Sequence, residues 1–361
     1  MKKSLLLVMA LVLSLSLVLT GCAPKAPEPA PAPAPAETPA APVEPAAPQE
    51  VIKVKFGHNQ ATNTPMHAGA EAFKQKVEEL SGGQIEVTIY PNMQLGQMRE
   101  QAEQVQAGTL EITQQPASVI SNFDQSLEVY DIPFLFANLD AMQEVIEGEV
   151  GKEILKGLED NGFIGLGYQT GGLKQMYGAK PYRGPQDLAG LKMRVMPAPI
   201  LVETYKALGA NPITVEFGEL YNALQQGVAD GMENPMQTVD MLKMFEVQDV
   251  ATVVNIGPML YITVANKAWF DSLTPELQAN VLEAQAYADQ VEWDGIRAEE
   301  PKYFENAKAG GMEIYYPTPE EMQAFREKTA PVNDFVAGRV GQDLVDKVLA
   351  AAEAANAKFA K

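Results

Sequence analysis

The sequence predicts an α/β protein, and three consecutive runs predict it. "VIKVKFG" alternates Ile52, Val54 and Phe56 with Lys53 and Lys55, the period of a half-buried strand. "PMHAGAEAFKQKVEELSGG" places Met66, Phe73, Val77 and Leu80 on one side of a helix that Ser81-Gly82-Gly83 stops. "QIEVTIYP" returns to period two, with Ile85, Val87 and Ile89 on one face. A β-α-β opening favours parallel pairing through a right-handed crossover.

The alternation continues along the chain. "MREQAEQVQAG" reads as a helix, "LEITQQPA" as a short strand and "LDAMQEVIEGEVGKEILKGLEDNG" as one helical stretch. "FIGLGYQTGG" reads as a buried strand, "LKMRVM" as another, and "PILVETYKALGA" and "GELYNALQQGVAD" as helices. The long β-branched region "ATVVNIGPMLYITVANKAWF" is suited to carry the chain from one domain back to another. The last third is mostly helical. Thr274 caps a helix that opens on Pro275, Thr318 and Glu321 fit a capping box, and "LVDKVLAAAEAANAKFAK" closes the chain.

The chain has 361 residues, 46% hydrophobic and 20% charged, enough for two α/β domains. Its net charge of −20 makes nucleic acid an unsuitable partner and means that any anion site must be built locally. Residues 1–21 carry Lys2, Lys3 and an apolar stretch, an export signal excluded from the fold. That stretch ends in "LTGC", which resembles a bacterial lipobox and makes Cys22 the expected lipidation site. Cys22 is the one cysteine, so disulfides and thiol chemistry are excluded. The Pro/Ala-rich residues 22–50 read as an extended tether of about 3.1 Å per residue. The expected location is therefore outside the cytoplasmic membrane, held there by lipid.

Catalytic and cofactor motifs are weak. His58 at a strand end and His67 near a helix start fit surface or capping roles better than metal binding, and neither has metal-ligand spacing. "GLGYQTGG" nearly matches a dinucleotide fingerprint, but its third glycine comes one residue late and no helix follows. "ADGMENP" lacks the twelve-residue spacing of a calcium loop. No cofactor or metal is expected, and no nucleophile–base constellation points to an enzyme. Arg194 stands out, because it is a permanent charge inside the apolar run Leu191–Met196. The pattern alone leaves two readings open: a strand arginine paired with a domain acid, or a ligand-binding one.

Seven segments, in order, resemble the extracytoplasmic solute-binding proteins of TRAP transporters, the DctP-type family. They are "KFGHN", "YPNMQLG", "VQAGTLEIT", "IPFLF", "PQDLAGLKMRV", "FGELYNALQQGVADGMENP" and "ANKAWFDSL". The resemblance runs from about residue 51 to the C-terminus. It implies a two-lobed, periplasmic-binding-protein-like fold, each lobe a mostly parallel sheet flanked by helices, with crossing strands and a long helix joining them. Lobe I is expected at 51–171 plus 260–299 and lobe II at 172–259 plus 300–361. The resemblance also implies that Arg194 meets the ligand carboxylate with its planar fork. Asn234 of "GMENP" would offer an amide to the same carboxylate, Phe217 would stack on the carbon skeleton, and Asn59 would reach in from lobe I. Gln115, Met196 and Gln237 are further expected ligand contacts.

The sequence also departs from the family. Lys174 stands where some members carry a second arginine, which keeps the charge and loses the fork. Met98 and Pro116 stand where sialic-acid-binding members place acids. Together with Gln114, Gln115, Met176 and Met196, this leans towards a smaller or more apolar organic acid. The implied function is capture of such an acid for a TRAP membrane permease, by a monomer. A sensor feeding a membrane receptor is the alternative.

Overall fold

The computed structural model describes residues 50–360. The export segment, Cys22 and most of the Pro/Ala-rich stretch lie outside the described residues. The β-α-β opening forms as its periodicity dictates: β1 (Ile52–His58), a helix (Pro65–Leu80) and β2 (Ile85–Tyr90), with β1 and β2 parallel. Thr64 caps that helix through the His67 N–H, and Pro65 occupies its first turn, where a missing N–H costs nothing. A capping box between Gln97 and Glu100 starts the helix Met98–Ala107, and Gly108 at φ 77° ends it.

The remaining strands are β3 (Ile112–Pro116), β4 (Phe163–Gly178), β5 (Lys192–Val195), β6 (Asn211–Thr214), β7 (Gly231–Pro235), β8 (Val250–Asn266) and β9 (Glu313–Tyr315). They form one nine-stranded sheet in the order β2-β1-β3-β8-β4-β7-β5-β6, with β9 pairing β8. The arms on either side of β8 and β4 are largely parallel, whereas β3–β8, β4–β8 and β4–β7 are antiparallel. The 16 residues of β4 and 17 of β8 run along each other from Phe163↔Asn266 to Gly178↔Val250. Register shifts at Gly165/Gly167, Thr170/Leu173 and Lys174/Met176 interrupt the ladder. Such bulges re-aim side chains where two sheet arms meet. The glycines of "GLGYQTGG" thus sit inside a strand and not in a phosphate-binding turn.

Two helices and one histidine differ from their sequence reading. The expected helix over 139–162 breaks into Leu139–Ile146 and Glu149–Gly157 at Gly148, and ends in a 3₁₀ turn. The expected helix over 218–230 shrinks to Leu220–Gln225 behind a 3₁₀ turn. His58 is fully buried, not at the surface.

The 35-residue helix Pro275–Ala309 lies against the helix Pro65–Leu80, close enough that a Cβ on Gly69 would meet the Ala288 carbonyl at 3.2 Å. Under it lies a polar layer. Asp289 accepts from Gln169 and, at 2.6 Å, from Gln285, while Glu292 accepts from Gln114 and the Thr170 N–H. No described cation pairs with either carboxyl, and burial pushes Asp289 up to about 7. A carboxyl whose folded-state value exceeds its unfolded value of about 3.9 contributes stability in its protonated form. That contribution is fully present below about pH 4 and is lost as the pH rises through about 7. Asp289→Asn keeps the acceptor for both glutamines. It is expected to stabilise the protein at pH 8 and to change little at pH 5; urea midpoints that shift equally at both pH values would refute this. Among the described residues no helix is long and apolar enough to cross a membrane.

Candidate functional site

β5 places Arg194 between Met193 and Val195, both in the core, and the guanidinium is 0% exposed. Its Nε and Nη2 donate to the Val215 carbonyl at 2.9 and 2.7 Å, so the neighbouring chain holds two edges of the fork. Among the described residues Nη1 has no partner and no acid lies within ion-pair distance of the guanidinium. Burial pulls the group down to about 10, opposed by the fields of Glu233 and Glu216, so it stays charged at neutral pH. A buried guanidinium edge without a counter-charge is costly unless an anion meets it.

Lys174 is occupied differently. The bulged part of β4 turns its Nζ to 3.2 Å from Glu233 Oε2 and 3.8 Å from Asp131 Oδ1, all three groups being buried. Asp131 also accepts from Ser118 Oγ at 2.8 Å. Burial pushes both carboxyls above the ordinary carboxylate range, while Lys174 opposes the rise in each and Arg194 opposes it in Glu233. Around these charges Pro133, Leu201, Thr204, Tyr205 and Ile256 leave a gap with room for about one water.

None of the other expected residues lines that gap. Asn234, on β7 beside Glu233, is buried with only the Met232 sulfur, at 3.3 Å, near its amide nitrogen. Gln237 begins the next helix with Nε2 unpartnered and lies against Gly171 of β4. Phe217 shares an apolar cluster with Met98, and a Cβ on Gly218 would come within 3.0 Å of the Gln97 amide. The two arms of the sheet therefore touch each other here. Asn59 donates to Tyr261 Oη at 3.2 Å, and Gln60 does so at 2.7 Å. Gln115 donates to Thr113 and Gln101 and keeps Oε1 free. Met196 belongs to a different apolar cluster, with Met66, Met176 and Met259.

Lys174 thus pairs with Glu233, Asn234 follows it on β7 and Arg194 feels its field from β5, while Asn59 and Gln115 belong to the other arm. Sequence reasoning missed Glu233, Asp131, Gln60 and Tyr261. A signal for the first two existed: a lysine in a buried strand requires an acid, and "GMENP" and "YDIPFLF" each supply one.

The model of the bacterial extracellular solute-binding protein family 7, DctP, matches residues 56–339. The C4-dicarboxylate-binding periplasmic protein DctP of Rhodobacter capsulatus is 36% identical over 307 residues, covering 84% of this chain and 91% of that protein. The C4-dicarboxylate-binding protein DctB of Bacillus subtilis is 28% identical, covering 83% and 87%. Among solved structures, the sugar acid binding protein of Advenella mimigardefordensis in complex with galactonate superposes with a TM-score of 0.81 at 29% identity, covering 85% of this chain and 99% of that one. A TRAP periplasmic solute binding protein of Shewanella oneidensis with bound succinate gives 0.80 at 29% identity and the same coverage. Family match, relatives and two-lobed structural neighbours agree: the chain belongs to the bacterial extracellular solute-binding protein family 7, the DctP-type solute-binding proteins of TRAP transporters.

Proposed function

We propose that this protein captures a small organic acid by its carboxylate between the two sheet arms and delivers it to a TRAP-type permease. The observation that carries the reading is the buried Arg194 fork, with Nη1 unpartnered and no acid in contact. A carboxylate arriving at Nη1 supplies the missing counter-charge. Unpartnered Gln115 Oε1 and Gln237 Nε2, together with Asn234, Asn59, Phe217 and Met196, are the groups that would line the rest of the ligand. Lys174 acts on the ligand through its field, because Glu233 and Asp131 already face it. An anion that binds best when both arms touch it stabilises the closed form over the open one, as ligand-driven closure requires. The lobes are assigned as 51–171 plus 260–299 and 172–259 plus 300–361. Ligands printed for the similar proteins, C4-dicarboxylates, succinate and galactonate, support the organic-acid class.

A thermal-shift screen tests this. Succinate, galactonate and a panel of mono- and dicarboxylates are expected to include at least one acid that raises the melting temperature with concentration, while neutral sugars do not. A panel in which no acid shifts the transition defeats the proposal. Lipid attachment at Cys22 has its own test: Cys22→Ser is expected to move the exported protein from the membrane fraction to the soluble one, and a membrane-bound variant would refute it.

A further inference from the structure

We propose that the site selects its ligand by charge: it takes a monocarboxylate whose remaining groups are uncharged and rejects a dicarboxylate dianion. This deepens the organic-acid reading above and rests on it.

Among the described residues two lysine or arginine side chains are buried, Lys174 and Arg194. They are not equally available to a ligand. Lys174 Nζ lies 3.2 Å from Glu233 Oε2 and 3.8 Å from Asp131 Oδ1, and both acids are buried with it. With both carboxyls ionised the cluster carries one net negative charge; with one of them protonated it is neutral. In neither state does it offer a positive charge to an incoming anion. Its space is taken as well. The gap that these groups line has room for about one water, whereas a carboxylate brings three heavy atoms. A second carboxylate reaches Lys174 only by displacing an acid already in place.

Arg194 is the cation left over. Its two bonds to the Val215 carbonyl use up hydrogens of the fork but bring no negative charge. Nη1 remains for one carboxylate oxygen. The fields of Glu233 and Glu216 already act on the guanidinium, so the site attracts anions with one partly offset charge. A monoanion balances that charge. A dianion leaves its second carboxylate inside the protein without a cation, and an unpaired buried charge is far costlier than a hydrogen-bonded neutral group.

The other residues assigned to the ligand, Asn59, Gln115, Phe217, Asn234, Gln237 and Met196, are uncharged. Gln115 also opposes a second carboxylate through its orientation. Gln101 Nε2 donates to the Gly96 carbonyl at 2.8 Å, which leaves Gln101 Oε1 as an acceptor. Gln115 turns its nitrogen to that oxygen at 3.1 Å, and its own buried Oε1 is left without a donor. Such an acceptor calls for a hydroxyl or an amide N–H; a carboxylate has only acceptors to give.

Matched acids that differ by one charge test this. Calorimetry at pH 8, where both carboxyls of a diacid are ionised, compares succinate with its half-amide succinamate, and galactonate with galactarate, which has a carboxylate at both ends. Every further acid that stabilises the protein in the screen is compared in the same way with its half-amide or its diacid. The monoanion of a pair is expected to bind at least about a hundredfold more tightly, the scale set by an uncompensated charge in a buried site. In Glu233→Gln one acid is gone from Lys174, so the dianion's disadvantage is expected to shrink by about tenfold or more. A dianion that binds the wild type within about tenfold of its monoanion partner overturns the proposal and leaves acid capture intact. The same disadvantage in Glu233→Gln as in the wild type also overturns it, because shape and not charge would then discriminate. If no acid of any kind binds, the organic-acid reading itself falls, and this proposal with it.

Discussion

Arg194→Ala is expected to fold, to melt below the wild type, and to show no shift with any acid that stabilises the wild type. The lower melting point has a specific source. The side chain is fully buried and donates twice to the Val215 carbonyl, so truncation leaves that carbonyl unpaired and opens a cavity. Losing hydrogen bonds from a charged donor costs about 1.5–3 kcal/mol. The loss of ligand response is a separate effect. Removing one partner of a buried, hydrogen-bonded charge pair costs about 2–5 kcal/mol of binding. At one hundred times Kd the wild type gains about 2.7 kcal/mol from ligand, so a loss of that size removes most or all of the shift. Arg194→Lys separates charge from geometry. It keeps the charge and fills most of the volume but cannot bond Val215 and a carboxylate through one planar fork, so it too should bind poorly. Either variant binding with wild-type affinity, measured by calorimetry with an acid from the screen, would remove Arg194 from the site.

Arg194 could be found from the sequence because it violates its surroundings: a permanent charge in "LKMRVM" has no reason to be there unless something meets it. Strands β1 and β2 and the helix between them were equally open to reading, because each shows one clear period. The ion cluster was not. Asp131, Lys174 and Glu233 lie on segments far apart in the chain, and only the bulged pairing of β4 with β7 and β8 brings them together. Periodicity also hid the break at Gly148, since Glu, Val and Ile on both sides keep the helical pattern through it. His58 was misplaced for a related reason. A histidine following an alternating strand carries no signal of burial, and its partner His67 lies on another element. What a sequence shows readily is local period and local violation; pairings set by sheet register need coordinates.

Lys174→Met is expected to be the most destabilising substitution in the site, and to be so in a pH-dependent way. Methionine fills much the same volume, so the cost is electrostatic. Removing the cation leaves Asp131 and Glu233 buried together with no partner within ion-pair distance, and breaking a buried pair in this way costs about 3–5 kcal/mol. Both carboxyls are already raised by burial, with Lys174 opposing the rise. Without it their folded-state values climb further above the unfolded ones. A raised carboxyl contributes stability in its protonated form at low pH and loses it as the pH increases. The deficit of Lys174→Met should therefore be large at pH 8 and markedly smaller at pH 5. Glu233→Gln in the same chain should recover part of the loss, because one fewer charge is stranded, and the double mutant should be more stable at pH 8 than Lys174→Met alone. Urea unfolding at the two pH values measures all of these. If Lys174→Met lost the same stability at pH 5 as at pH 8, or if Glu233→Gln simply added its own cost, Lys174 would be a packing residue whose charge is satisfied elsewhere.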